Sequence, residues 1–173
     1  LGGKKSLALV SDAVASDDRE IKTAGIRALC NWPDASVAGR LLSLAKNHLE
    51  EPQRTWALRA YVRVITLKSD RPEAETLAML KRAMSLARGD AERRLIVERA
   101  ATVRTMETLR WIAPYLDNPA LAQSVCKTVV ELAHHRFLRN PNKEEFDALL
   151  KKVQKIAQDP EIVERANRYL LGI

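Results

Sequence analysis

Five segments of the chain repeat one helical pattern, and that repetition limits the fold more than any other feature. The segment "IKTAGIRALCNW" begins at Ile21, "QRTWALRAYVRV" at Gln53, "RRLIVERAATVR" at Arg93, "LAQSVCKTVVEL" at Leu121 and "IVERANRYLLGI" at Ile162. Aligned on those starts, the fifth column reads Gly25, Ala57, Val97, Val125 and Ala166, all small or β-branched. The seventh is basic every time: Arg27, Arg59, Arg99, Lys127 and Arg168. The eighth, Ala28, Ala60, Ala100, Thr128 and Tyr169, is small in its first four members. The starts are separated by 32, 40, 28 and 41 residues, an irregular period in the range where helical units stack side by side.

Another apolar helical segment precedes each of these. The periodicity predicts first helices over 4–15, 35–48, 72–88, 105–117 and 143–157, with boundaries good to ~2–4 residues. Acidic or proline punctuation sits before the second helices, at Asp17-Asp18, Glu51-Pro52, Gly89-Asp90, Asn118-Pro119 and Asp159-Pro160. A carboxylate there suits the positive helix end, and proline in a first turn lacks only an N–H that has no helical partner. In Trp32-Pro33-Asp34 the proline stops one helix and Asp34 caps the next. No segment has the strict alternation of a strand. The chain is therefore expected to be all-α, with about five helical hairpins. Each hairpin has an apolar face too wide to bury alone, so the hairpins are expected to stack into a right-handed α-solenoid. Small fifth- and eighth-column residues let neighbouring helices approach closely.

Composition agrees with a single domain spanning 1–173. The hydrophobic fraction is 46% and the charged fraction 29%, which suits a globular chain rather than a disordered one. The net charge of +7 permits an anionic partner without naming one. Cys30 and Cys126 lie inside apolar helical patterns and read as two buried thiols. No apolar run approaches membrane-spanning length, so no membrane insertion is expected. The chain opens Leu-Gly-Gly-Lys-Lys, without Met or a signal peptide, and reads as a piece of a longer protein.

The segments "DDREIKTAGIRAL", "EPQRTWALRAY" and "DPEIVERANRYL" resemble the second helices of HEAT repeats, with their Asp-Pro-x-x-Val-Arg-x-x-Ala-x-x-Ala-Leu pattern. The resemblance covers essentially the whole chain. More narrowly, "IRALCNWPDASVAGRLLSLAK" followed by "ALRAYVRVI" is similar to HEAT-like domains of large bacterial proteins that also carry sugar-processing or carbohydrate-binding domains. That likeness implies a bacterial source and a periplasmic or secreted location, and it transfers no catalytic residues. In HEAT arrays the second helices line the concave surface. The resemblance thus implies a row of cations ~10 Å apart, one helix diameter.

Residue patterns that carry chemistry are sparse. Trp32-Pro33-Asp34 resembles the acid loop of tyrosine phosphatases, but their Cys-x5-Arg loop is missing: Ser36 lies six beyond Cys30 and Leu132 six beyond Cys126. Glu131 and His134 have Glu-x-x-His spacing, of which a di-iron bundle needs two copies and two further Glu. His135 points about 100° away from His134 on a helix, and His48 has no companion. Gly2-Gly3-Lys4 lacks the rest of a phosphate loop. Glu144-Glu145 and Asp17-Asp18 fall at helix starts, where capping explains them. No catalytic residue, metal ligand or cofactor is expected.

The basic column is the candidate binding surface: Arg27, Arg59, Arg99, Lys127 and Arg168, extended by Arg63 one turn beyond Arg59, with Trp56 beside it. Such a row grips an acidic partner or polyanion. Alternatively the cations pair with Glu98, Glu131 and Glu164 as a structural ladder, the favoured reading because HEAT repeats carry a recurring Arg for packing. Trp56 is expected in the inter-repeat core. The function expected is a non-catalytic, monomeric scaffold or interaction module, with a protein or a flanking domain as partner and nucleic acid as the lesser choice. One alternative is an enzyme like the alkyl-purine DNA glycosylases, which are HEAT-like and basic, although no Asp and Arg here align with their site. Another is a rigid spacer between domains.

Overall fold

The computed structural model describes residues 3–47 and 50–173. His48, and the Gly2 of Gly2-Gly3-Lys4, lie outside the described residues. Among the described residues every regular element is helical and none is a strand. In chain order the helices are α1 (Lys4–Ala15), α2 (Arg19–Cys30), α3 (Ala38–Asn47), α4 (Glu51–Ile65), α5 (Glu73–Leu86), α6 (Asp90–Ala100), α7 (Met106–Ile112), α8 (Ala122–His134), α9 (Arg136–Arg139), α10 (Lys143–Ile156) and α11 (Pro160–Leu170). None of them is long and apolar enough to cross a membrane.

The punctuation works as cap chemistry predicts at some ends and not at others. Asp18 accepts from the N–H groups of Glu20 (2.8 Å) and Ile21 (3.0 Å) at the start of α2. Asp159 accepts from Glu161 N–H (2.9 Å) at the start of α11, where Pro160 takes the first turn. Asp34 accepts from Ser36 N–H (2.8 Å), and the turn it caps is a 3₁₀ lead-in, Ala35–Val37, ahead of α3. The Ser36 side chain, and after it this backbone bond, hold the Asp34 carboxyl below its usual range. Glu50 and Gly89 give α4 and α6 no side-chain cap. Glu145 does not cap either: both its oxygens accept from Arg110, at 2.9 and 3.0 Å. The segment expected as one helix over 105–117 is split, with α7 ending at Ile112 and Ala113–Asp117 forming a 3₁₀ turn. Pro114 has no N–H to offer the carbonyl of Arg110, so the α ladder cannot continue.

The chain divides into two compact units, Leu1–Asp70 with Ala78–Arg88, and Arg71–Leu77 with Gly89–Ile173. In the first, α1 packs on α2, α3 on α4, and the two second helices α2 and α4 on each other. Its core is built from Ile26, Leu29, Trp32, Leu41, Leu58, Tyr61 and Ile65, each at most 2% exposed. In the second, α10 packs on α11, and α8 touches α6, α10 and α11. Ile96, Leu109, Val125, Val129, Phe146, Leu150 and Val153 are fully buried there. Each such side chain stabilises by roughly 1.5–3 kcal/mol relative to exposure, so the apolar stripes carry the fold. All five fifth-column residues are buried. At Gly25 the approach is very close: a Cβ built there would stand 2.7 Å from Val14 N.

Candidate functional site

Positions two apart on a helix point about 200° apart, and the second helices use that geometry. While the fifth column is buried, Arg27, Arg59, Arg99, Lys127 and Arg168 of the seventh are all exposed. The expected ladder does not form. Among the described residues none of these cations has a carboxylate within 4.0 Å. The carboxylates proposed as their partners are engaged elsewhere or face solvent. Glu98 accepts from Ser124 Oγ at 2.8 Å, Glu131 pairs with Arg165 at 2.6 Å, and Glu164 is exposed. The reason is angular: Glu98 and Arg99 are adjacent on one helix and diverge by about 100°, as neighbours on a helix must.

In the first unit the column frames a groove of about 360 Å³ between α2 and α4. Arg27 and Cys30 line it from α2, and Trp56, Arg59, Ala60 and Arg63 from α4. On α4, residues 56, 59, 60 and 63 fall on one face by their spacing of three and four. Small Ala60, one turn beyond Trp56, leaves the hollow open. No carboxylate lines the groove among the described residues. Trp56 is half-buried and groove-facing rather than a core residue, with the Arg27 guanidinium 5.0 Å above its ring centroid, in cation–π range. Arg63 has a second duty that its place in the stripe did not suggest. Its Nη2 donates to the carbonyls of Cys30 (3.0 Å) and Trp32 (2.6 Å), at the negative end of α2, where a cation is favoured. Arg59 has no hydrogen bond or ion pair to any described residue and faces the solvent.

Cys30 forms part of the wall. Burial pushes its thiol up to about 11 against the opposing pull of Arg63, and burial does the same to Cys126. Both thiols therefore stay protonated at neutral pH and are poor nucleophiles. Glu131 and His134, the Glu-x-x-His pair, are directed at Arg165 and Tyr169: His134 Nδ1 lies 3.1 Å from the Tyr169 hydroxyl.

In the second unit the column residues do not share one hollow. Lys127 borders a cavity of about 210 Å³ together with Glu98 and Asp159, so both signs of charge meet there. Arg168 borders a different one, of about 420 Å³. That cavity includes Arg139 of α9, a short helix outside the repeating pattern that no periodicity announced. With the geometry in view, comparison with known proteins adds no relative: no family model, no curated protein and no solved structure matches the chain.

Proposed function

We propose that the chain is a non-catalytic contact module of HEAT-like hairpins stacked as a right-handed solenoid, and that its second-helix face holds an acidic segment of a partner protein or of a flanking domain. Within each unit the second helices pack on one another in sequence order, α2 on α4 and α6 on α8, which supports the stacked reading. The observation that carries the binding surface is the groove around Trp56. Three arginines border it, no carboxylate among the described residues does, and Arg59 has no hydrogen bond or ion pair among the described residues. Nearby guanidiniums with no counter-charge repel one another, and an incoming carboxylate relieves that repulsion while gaining bidentate hydrogen bonds. The ring and Ala60 add apolar surface beside the charge, a combination found at interface hot spots. This suits a peptide that alternates acidic and apolar residues.

The test is a titration followed by tryptophan emission, with a synthetic peptide of alternating Glu and Leu and, separately, a short DNA duplex. Saturable peptide binding is expected, weakened about tenfold or more in Arg59→Glu, where like charges then meet. If the duplex binds and the peptide does not, the module is a nucleic-acid binder. If neither binds at low salt, the groove is no docking surface and the spacer reading stands.

A further inference from the structure

We infer that the second unit holds a separate binding site for a phosphate monoester, in the cavity between α8, α9 and α11. The cavity measures about 420 Å³ and is bordered by His134, Arg136, Arg139, Arg165, Arg168 and Tyr169, with Glu161 and Glu164 towards the start of α11.

Arg139 carries the argument. It is only 3% exposed, yet no carboxylate lies within 4.0 Å of it among the described residues. Its Nη1 donates to the carbonyl of Ala133 at 3.0 Å, and its guanidinium lies 4.7 Å from the Tyr169 ring centroid. Those contacts orient the charge without neutralising it. A buried charge with no counter-ion is costly and is ordinarily paired. Arg139 borders the cavity.

The surroundings are built to hold the same place rigid. Tyr169 is buried, its hydroxyl 3.1 Å from His134 Nδ1 and 3.5 Å from Arg165 Nη2. Arg165 is itself committed to Glu131 at 2.6 Å. Arg136 and Arg168 are exposed and have no ion pair among the described residues, so both are available to an arriving anion. Among the described residues neither glutamate lies within 4.0 Å of a nitrogen of Arg136, Arg139 or Arg168. Seven residues separate Glu161 from Arg168 on α11, about 10 Å along the helix axis. Arg165 is already paired with Glu131, so the three remaining arginines against two glutamates leave a formal surplus of one positive charge. A phosphate monoester at neutral pH carries about −1.5 to −2 and three acceptor oxygens, one oxygen for each of the unpaired guanidiniums of Arg136, Arg139 and Arg168 that border the cavity. A single carboxylate satisfies one guanidinium and leaves the others.

The experiment is an NMR titration of the intact chain with inorganic phosphate and with glycerol 3-phosphate, to about 10 mM, ten times a Kd of ~1 mM. The His134 ring and the Arg139 and Arg168 side-chain signals are expected to shift together and to saturate. Arg168→Ala, an exposed position, is expected to weaken binding at least fivefold, and Arg139→Met to abolish it. Arg27→Ala, in the other unit, is expected to leave it unchanged. A parallel arm measures sedimentation with phosphatidylcholine vesicles with and without phosphatidic acid. Co-sedimentation only with phosphatidic acid assigns the monoester to a lipid headgroup; shifts with soluble phosphates and no co-sedimentation assign it to a free metabolite. No saturable shift with either soluble phosphate, or an equal shift in Arg168→Ala, overturns the inference.

Discussion

Valine at position 25 is expected to lower the unfolding free energy of the first unit by about 3 kcal/mol, the upper range for overpacking a filled site. Gly25 lies where α2 crosses α1. A Cβ there would meet Val14 N at 2.7 Å and the carbonyl carbon and Cβ of Ala13 at 2.8 Å. Two of those three atoms are backbone, so no side-chain rotation relieves the overlap and α1 itself must move. Alanine at the same site regains about 1 kcal/mol of helix propensity against the same first clash, so it is expected to cost less than valine. Gly39 supplies the control, because it lies in α3 with nothing within 4 Å of its added Cβ. Gly39→Ala is expected to stabilise by about 0.5–1 kcal/mol. Urea unfolding of the three variants measures the ordering. Gly25→Val as stable as the parent would mean that α1 does not press on α2 as described.

Replacing Trp32 by alanine is expected to cost about 3–5 kcal/mol, the usual range for deleting a buried indole. Trp32 is 2% exposed, and its carbonyl takes the shorter of the two bonds from Arg63, at 2.6 Å. The same residue that closes α2 thus fills the core of the unit and holds α4 to its end. Loss of the side chain leaves a cavity and loosens the loop that positions Arg63, so the groove should weaken along with the fold. Calorimetric melting against the parent measures the first effect. A loss of no more than about 0.5 kcal/mol, typical of a surface site, would contradict the burial.

The legible and illegible parts of this molecule separate by physical cause. Helices were readable because apolar residues recur at helical spacing; α1 runs over the expected 4–15, and α10 stops one residue short of the expected 157. Exposure of the basic column follows from the same angle that buries Gly25, Ala57, Val97, Val125 and Ala166. Pairing was not readable. Which carboxylate meets which cation depends on contacts between helices, and so Glu131 meets Arg165 rather than a column residue, and Glu145 meets Arg110 rather than a helix end. Trp56 was misplaced for a related reason: an aromatic at a helical position is apolar enough for the core, and only the neighbouring Arg27 and Ala60 keep it in the groove. Arg139 gave no signal at all. It lies in α9, four residues without an apolar period, and its burial comes from α8 and Tyr169 folding over it.

Mapping the bound face decides the central claim, that contact is made through the second helices. Backbone and side-chain NMR signals of the intact chain would be followed while the Glu-Leu peptide is added at low and at moderate salt. The account predicts saturating shifts centred on Arg27, Trp56, Arg59 and Arg63, shrinking as salt screens the guanidiniums. Shifts centred on α1 and α3 instead, or shifts indifferent to salt, would contradict it.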